Sequence, residues 1–501
     1  MRENSVVQHQ QGFQRNSATA SGRLRHFMDT IWRPFIASKS KSYTLVFLLV
    51  ILLLCVFIST RRLLDPTAVF DGGLSDQKQA LNTRTRRARS PGIPRIQIPL
   101  NCTTLYHKRA CPRNYPKTFE VEDDPDRSSP PTCPEYFRWI HEDLRPWARK
   151  GITREMVERA QATANFRLAI INGRVYMERF HRAFQTRDVF TLWGVLQLLR
   201  RYPGKLPDLE LMFDCVDWPV IKAVDYSGPN ATDPPPLFRY CGNDETLDIV
   251  FPDWSFWGCL ITLYAADENM IEFFSNFNIP AYVLRILLLQ DWLKESREGY
   301  KESDLTSQCT YRYKIYIEGS AWSVSEKYIL ACDSVTFLVK LHYYDFFTRG
   351  LIPLRHYWPV KEDGKCRSLK FAVDWGNSHK QKAQEIGKGA SRFIQEELKM
   401  DYVYDYMFHL FNEYAKLLRF KPAIPQNAVE LCVETMACPR NGTEKKFMEE
   451  SLVKGPAETE PCTIPPPYDP PSLLYLLKSK EKLISQVDFW EKKHWQKNQT
   501  Q

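Results

Sequence analysis

Hydrophobic and polar positions divide the chain into stretches with different periods. Tyr43–Thr60 is a run of 18 residues without a charge, bounded by Lys39 and Lys41 on one side and Arg61 and Arg62 on the other. Such a run just spans a bilayer core as a helix, and a core helix is rarely so uniformly apolar. It starts too far from the N-terminus, and runs too long, for a cleaved signal peptide. The pattern predicts an uncleaved signal anchor over 43–60 with a cytoplasmic tail over 1–42, where seven Lys+Arg face two acids. Residues 61–130 keep neither a 3.6 nor a 2.0 period and carry Pro66, Pro91 and Pro94, so they read as a luminal stem.

From Cys133 onward the pattern becomes amphipathic. Helical spacing is predicted for Tyr136–Trp147, Arg154–Thr163, Val189–Leu199, Ala383–Leu398 and Tyr402–Leu418. Strand-like runs stand at Leu209–Phe213, Tyr313–Ile317 and Val335–Val339. Strands interspersed with helices imply an α/β architecture with a parallel sheet, here over residues 131–430. The Pro-rich remainder, 431–501, reads as a peripheral wrap or C-terminal tail.

Composition changes this picture in two places. The net charge of +9 suggests a nucleic-acid partner, yet residues 1–100 hold 15 Lys+Arg against 5 Asp+Glu, and residues 101–501 hold 53 against 54. The excess belongs to the N-terminal arm, so no nucleic-acid surface is expected on the folded part. Of the 13 cysteines, all but Cys55 follow the apolar run, as do the sequons at Asn101, Asn230, Asn441 and Asn498. Twelve cysteines and four sequons on one side favour disulfides and N-glycans in an oxidising lumen, hence a single-pass type II topology.

The chain has no phosphate-cradling glycine loop, no H-E-x-x-H, no G-x-S-x-G and no C-x-x-C, so zinc and serine hydrolases lack support. A strand instead ends at Asp214-Cys-Val-Asp217-Trp218-Pro219. Ligands of α/β sheets bind beyond the carboxyl ends of strands. Asp217, walled by Trp218, is therefore a candidate general base, or else caps the segment that follows. Trp254, Phe256 and Trp257 form an aromatic cluster suited to a sugar face or equally to a core. Tyr311–Ile317 runs into Gly319, Ser320, Ala321, Trp322, Ser323, Val324 and Ser325, where a helix opens and main-chain N–H groups are placed to meet a diphosphate.

The segments CPEYFRWIHEDLRPW (133–147), LPDLELMFDCVDWP (206–219), FPDWSFWG (251–258), CTYRYKIYIEGSAWSVSEKYILACDS (309–334), HYWPVK (356–361) and AQEIGKGASRFIQEELKMDYVYDY (383–406) occur in an order that resembles the rumi-type protein O-glucosyltransferases and their capsule-associated relatives, and most of all their membrane-anchored plant branch. The resemblance runs from about Cys133 to Pro425. It implies a GT-B-like fold of two Rossmann-type lobes, a UDP-sugar donor, inversion at the sugar and no need of a metal. It makes Asp217 the general base and Gly319–Ser325 the donor-binding turn, with Cys309 and Cys332 as the paired cysteines that bracket it. Trp218, Trp254, Phe256 and Trp257 become candidates for acceptor or sugar contacts.

The expected function is a Golgi or endoplasmic reticulum transferase moving glucose, xylose or a related sugar to a protein or glycan hydroxyl. The resemblance lapses after Gly258 and resumes at Gln290, where relatives carry a longer stretch with donor contacts. This lapse predicts weak or no UDP-sugar binding, and it makes a catalytically inactive luminal binding protein or a truncated variant on the same scaffold the alternative.

Overall fold

The computed structural model describes residues 97–103, 111–112, 130–229, 231–258, 309–319 and 321–499. These belong to one unit, Pro91–Gln501. The predicted span 43–60, the tail before it, nearly all of the stem, Asn230, Ser320 and the segment 259–289 lie outside the described residues. No helix among the described residues is long and apolar enough to cross a membrane.

Two short helices, α1 (Trp139–Leu144) and α2 (Arg154–Arg159), precede a hairpin of β1 (Phe166–Ile171) and β2 (Arg174–Arg179). Its turn is Asn172-Gly173, with φ of 50° and 71°. Asn-Gly adopts this mirror-image turn at little steric cost, and the turn matches the twist of the flanking strands. Helix α3 (Arg187–Arg201) then leads into β3 (Leu209–Phe213), whose five residues are all buried. One glycine of α3 has a packing reason: a Cβ on Gly194 would lie 2.7 Å from the Trp257 ring.

Strand β3 pairs antiparallel with β1 and parallel with β4 (Leu237–Arg239), which pairs parallel with β5 (Ile249–Val250). A second sheet holds β6 (Tyr313–Tyr316), β7 (Val335–Val339) and β8 (Trp358–Val360), all parallel, with α4 (Ser325–Leu330) crossing between the first two. Helices α5 (Lys365–Ser378) and α6 (Lys380–Arg392) bury Leu369, Phe371 and Ile386 beneath it. Helix α7 (Met400–Leu417) returns to the larger core, and β9 (Val429–Leu431) adds to the edge of β2. The larger sheet thus has the order β5-β4-β3-β1-β2-β9 and the smaller β6-β7-β8.

The α/β class is as expected and the smaller sheet is wholly parallel, but the larger sheet is mixed. In the larger sheet only β3, β4 and β5 run parallel. The two-residue Asn172-Gly173 turn reverses the chain directly, whereas a parallel neighbour requires a crossover of a dozen residues or more.

Residues 431–499, expected as a peripheral wrap or a tail, are built into the fold. They form α8 (Val433–Ala437), α9 (Gly442–Glu450) and α10 (Pro470–Gln499), and α10 packs Val487, Trp490 and Trp495 against the core of the smaller sheet. Disulfides Cys102–Cys438, Cys111–Cys432 and Cys133–Cys462 staple this segment to the start of the domain across separations of 336, 321 and 329 residues. Bonds closing loops this long remove much chain entropy from the unfolded state. Cys309 and Cys332 are bonded as the resemblance implied, with Cα atoms 5.1 Å apart. Among the described residues Cys215, Cys241 and Cys366 remain thiols.

Candidate functional site

The carboxyl ends of β3, β4 and β5 release three loops on one side of the larger sheet. Asp214–Ile221 follows β3, Tyr240–Gly242 follows β4, and Phe251–Asp253 follows β5. The loop after β7 meets them, because Gly242 and Tyr344 exchange main-chain hydrogen bonds of 3.0 and 2.9 Å. Ends of parallel strands from both sheets therefore converge, which is the ligand-binding end of such sheets.

The Asp217 loop is fixed at both ends by buried charge. Asp214 accepts the Val216 N–H at 3.0 Å and pairs with Arg239. The Arg239 Nε lies 3.3 Å from Asp248, whose carboxylate accepts the N–H groups of Val220 and Ile221 at 3.0 Å. Asp214, Arg239 and Asp248 are each under 5% exposed. Burial raises both carboxyls, Asp248 to about 6, while Arg239 pulls in the opposite direction. Asn165 adds a third tie, accepting the Cys215 N–H at 2.6 Å.

Within this frame Asp217 presents its carboxylate to Arg187, at the start of α3. The guanidinium reaches Oδ1 at 2.6 Å and Oδ2 at 3.4 Å, and also donates to the Cys215 carbonyl at 3.1 Å. Phe184 lies with its ring 5.2 Å from that guanidinium. The Asp217 side chain is 18% exposed and the Arg187 side chain 10%. Around them Val216, Trp218, Val220, Val224 and Phe184 leave apolar surface open to solvent.

The main chain of Asp217 is tied to the expected donor turn through one sulfur. Cys241 Sγ donates to the Asp217 carbonyl at 2.9 Å, and the Trp322 main chain acts on the same sulfur, favouring its charged form. Burial pushes the Cys241 thiol well above its ordinary value, so it remains an S–H donor.

Within the turn, Ala321, Trp322, Ser323, Val324 and Ser325 are all buried, and Gly319 is exposed. The Ser325 N–H is taken by Ser323 Oγ at 3.3 Å and that of Glu326 by the Ser323 carbonyl at 3.2 Å. Beneath α4, Lys327 joins Asp253 at 2.9 Å, with its ammonium 4.6 Å from the Phe256 ring. Trp254 and Trp257 pack in the core, Trp257 donating to the Tyr404 hydroxyl at 3.0 Å, whereas Trp218 faces solvent and Phe256 is half-buried.

The structure thus brings Asp217, Trp218 and residues 321–325 to one seam. Arg187, Cys241, Arg239 and Lys327 escaped the sequence reading because each acts across 24 to 74 residues of chain. Asn101 and Asn441 are exposed.

The one group of possible metal ligands among the described residues is Cys133, His409 and Cys462, and its two sulfurs are bonded to each other. A cavity lined by Gly173, Tyr202 and Leu431 lies at the opposite end of the larger sheet. It sits beside the β1–β2 turn and plays no part at this seam.

A mixed α/β scaffold with a carboxylate held at converging strand ends has the geometry of a ligand crevice. The chain belongs to glycosyl transferase family 90, whose profile matches residues 128–278 and 274–491. It is therefore a rumi-type family member.

Among similar proteins is Protein O-glucosyltransferase 1 of Bos taurus, 27% identical over 338 residues, 58% of this chain and 82% of that protein. An O-glucosyltransferase rumi homolog of Aedes aegypti is 27% identical over 335 residues, 58% of this chain and 80% of that protein. The O-glucosyltransferase rumi of Drosophila melanogaster is 24% identical over 332 residues, 58% and 78%. An alignment of 338 positions draws on more residues than 58% of this chain supplies, so the relative carries residues without a counterpart here. The two stretches of the family match meet at 274–278, inside the segment where the motifs lapse.

Proposed function

We propose that this protein transfers glucose, xylose or a related sugar from a UDP donor to a protein or glycan hydroxyl, with Asp217 as general base. The observation that carries the reading is the clamped carboxylate of Asp217, joined through Cys241 to the turn at 321–325. The two sheets are read as the two Rossmann-type lobes of a GT-B-like arrangement, with the donor on the β6-β7-β8 side. The acceptor hydroxyl gives its proton to Asp217 as its oxygen attacks the anomeric carbon. The bond from that carbon to the diphosphate breaks opposite the attack, and its electron pair leaves with UDP, so the sugar is inverted. Exposed Trp218 offers the ring face of an acceptor an aromatic wall.

A second reading, an inactive binding protein on the same scaffold, is favoured by the lapse after Gly258. Calorimetry of the full chain with UDP, run beside an assay of UDP release from UDP-glucose and UDP-xylose, separates the two. Turnover with UDP binding between ~1 μM and ~1 mM, the usual span for enzyme substrates, supports the transferase. No turnover and no heat of binding would leave the binding protein.

The type II placement in the Golgi or endoplasmic reticulum belongs to the same proposal, supported by the three disulfides that staple the two ends of the domain. Treating the expressed chain with an N-glycosidase is expected to lower its mass through Asn101 and Asn441. An unchanged mass would count against a luminal domain.

A further inference from the structure

We propose that Arg187 is the positioning residue that decides which oxygen of Asp217 takes the acceptor proton, an inference that rests on the transferase reading. Three contacts leave the carboxylate little freedom. The Asp217 carbonyl is held by the Cys241 thiol, and the Cys215 carbonyl two residues earlier is held by the Arg187 guanidinium itself. What remains is rotation about the Cα–Cβ and Cβ–Cγ bonds of Asp217, which the guanidinium fork restrains.

The fork is uneven. Oδ1 sits at 2.6 Å in a full charge-assisted hydrogen bond, and Oδ2 stands off at 3.4 Å. Oδ1 is therefore the more strongly engaged oxygen, and Oδ2, the less engaged one, is the one we assign to accept from a substrate hydroxyl. The proton of that hydroxyl goes to Oδ2 while the freed oxygen bonds to the anomeric carbon and UDP departs with the electron pair. Arg187 keeps its own protons throughout.

The placement of Arg187 supports this role over that of a surface tie. Its side chain is 10% exposed, it opens α3 where the helix meets the Asp217 loop, and the Phe184 ring lies against its guanidinium. A planar fork is needed for such a task. A lysine ammonium is a point donor that does not grip both oxygens.

The test compares the full chain with Arg187→Ala, Arg187→Lys and Asp217→Asn in UDP-sugar turnover. Misplacing a reacting group by about 1 Å costs on the order of 10²-fold, so Arg187→Ala is expected to lower kcat by about that factor. Its KM for the donor should stay within about threefold, because the donor turn is untouched. Guanidinium ion at low millimolar concentration, far below the molar range that unfolds proteins, should restore kcat at least about tenfold by filling the vacated space. Arg187→Lys should fall between the two.

Wild-type kcat in Arg187→Ala would overturn the inference. So would a loss that guanidinium does not relieve and that accompanies a lowered melting temperature, since Arg187 would then be a structural clamp. If Arg187→Ala does not fold, Arg187→Lys decides: unchanged kcat overturns the inference, and a reduced kcat in a normally melting protein supports it. Undiminished turnover in Asp217→Asn would remove the transferase reading and this inference together. An inactive Asp217→Asn beside a fully active Arg187→Ala would remove this inference alone. A wild-type chain that turns over no UDP-sugar at all would remove both.

Discussion

Replacing Asp217 with asparagine is expected to lower UDP-sugar turnover by at least ~10²-fold, the usual cost of losing a general base, with donor affinity nearly unchanged. Asparagine keeps the size of aspartate and an oxygen for Arg187 at the 2.6 Å position. It lacks the capacity to take up a proton, and it also gives up the charge that pairs with Arg187. The turn at 321–325 meets the main chain of Asp217 by way of Cys241, and the substitution leaves that link in place.

The neighbouring Asp214 is an unsuitable control, although it leaves the same strand end. Its carboxylate is buried against Arg239 and caps the Val216 N–H, so Asp214→Asn would loosen the loop that presents Asp217. Asp225 is suitable, since it is exposed in the single turn Ala223–Tyr226. Kinetics of Asp217→Asn and Asp225→Asn measured side by side check the prediction. Equal, small effects would remove Asp217 from the chemistry.

Local periodicity carried the elements but not the seam. Leu209–Phe213 and Val335–Val339 form strands over the expected ranges because a short, mostly apolar run, broken only by Glu210 in one and Thr336 in the other and flanked by turn residues, has few other solutions. The helix expected over Val189–Leu199 runs from Arg187 to Arg201, and the one over Tyr402–Leu418 from Met400 to Leu417, shifts usual for helix ends. The helix expected from Ala383 to Leu398 changes to a π turn at Phe393–Glu397.

The hairpin at Phe166–Arg179 went unread even though Ile171-Asn172-Gly173-Arg174 is a strong local turn signal. The C-terminal segment reads only as a wrap or a tail because its prolines do not say where it docks, and its order comes from disulfides to Cys102, Cys111 and Cys133 some 300 residues away. Asp217 stood out as a carboxylate at a strand end. Its partners Arg187 and Cys241 are brought to it by sheet pairing, and no motif spacing encodes that.

The frame around Asp217 yields the prediction with the largest effect on stability. Arg239→Met fills much of the same space but leaves Asp214 and Asp248 buried without their shared cation. Removing one partner of a buried ion pair typically costs ~3–5 kcal/mol, and here two carboxylates depend on one guanidinium. Because Arg239 now holds both carboxyls down against burial, its loss will raise them further than the present value of about 6 for Asp248.

A carboxyl whose pKa is higher in the folded than in the unfolded state binds more protons when folded over the interval between the two values. Stability then falls as pH rises through that interval. Urea unfolding of Arg239→Met is therefore expected to show the full loss near pH 8 and a distinctly smaller one near pH 5, where the stranded carboxyls take up protons. The wild-type chain, with Arg239 in place, should show a weaker dependence of the same sign. Equal losses at the two pH values would mean that Arg239 supports the Asp217 loop through packing of its side chain and not through its charge.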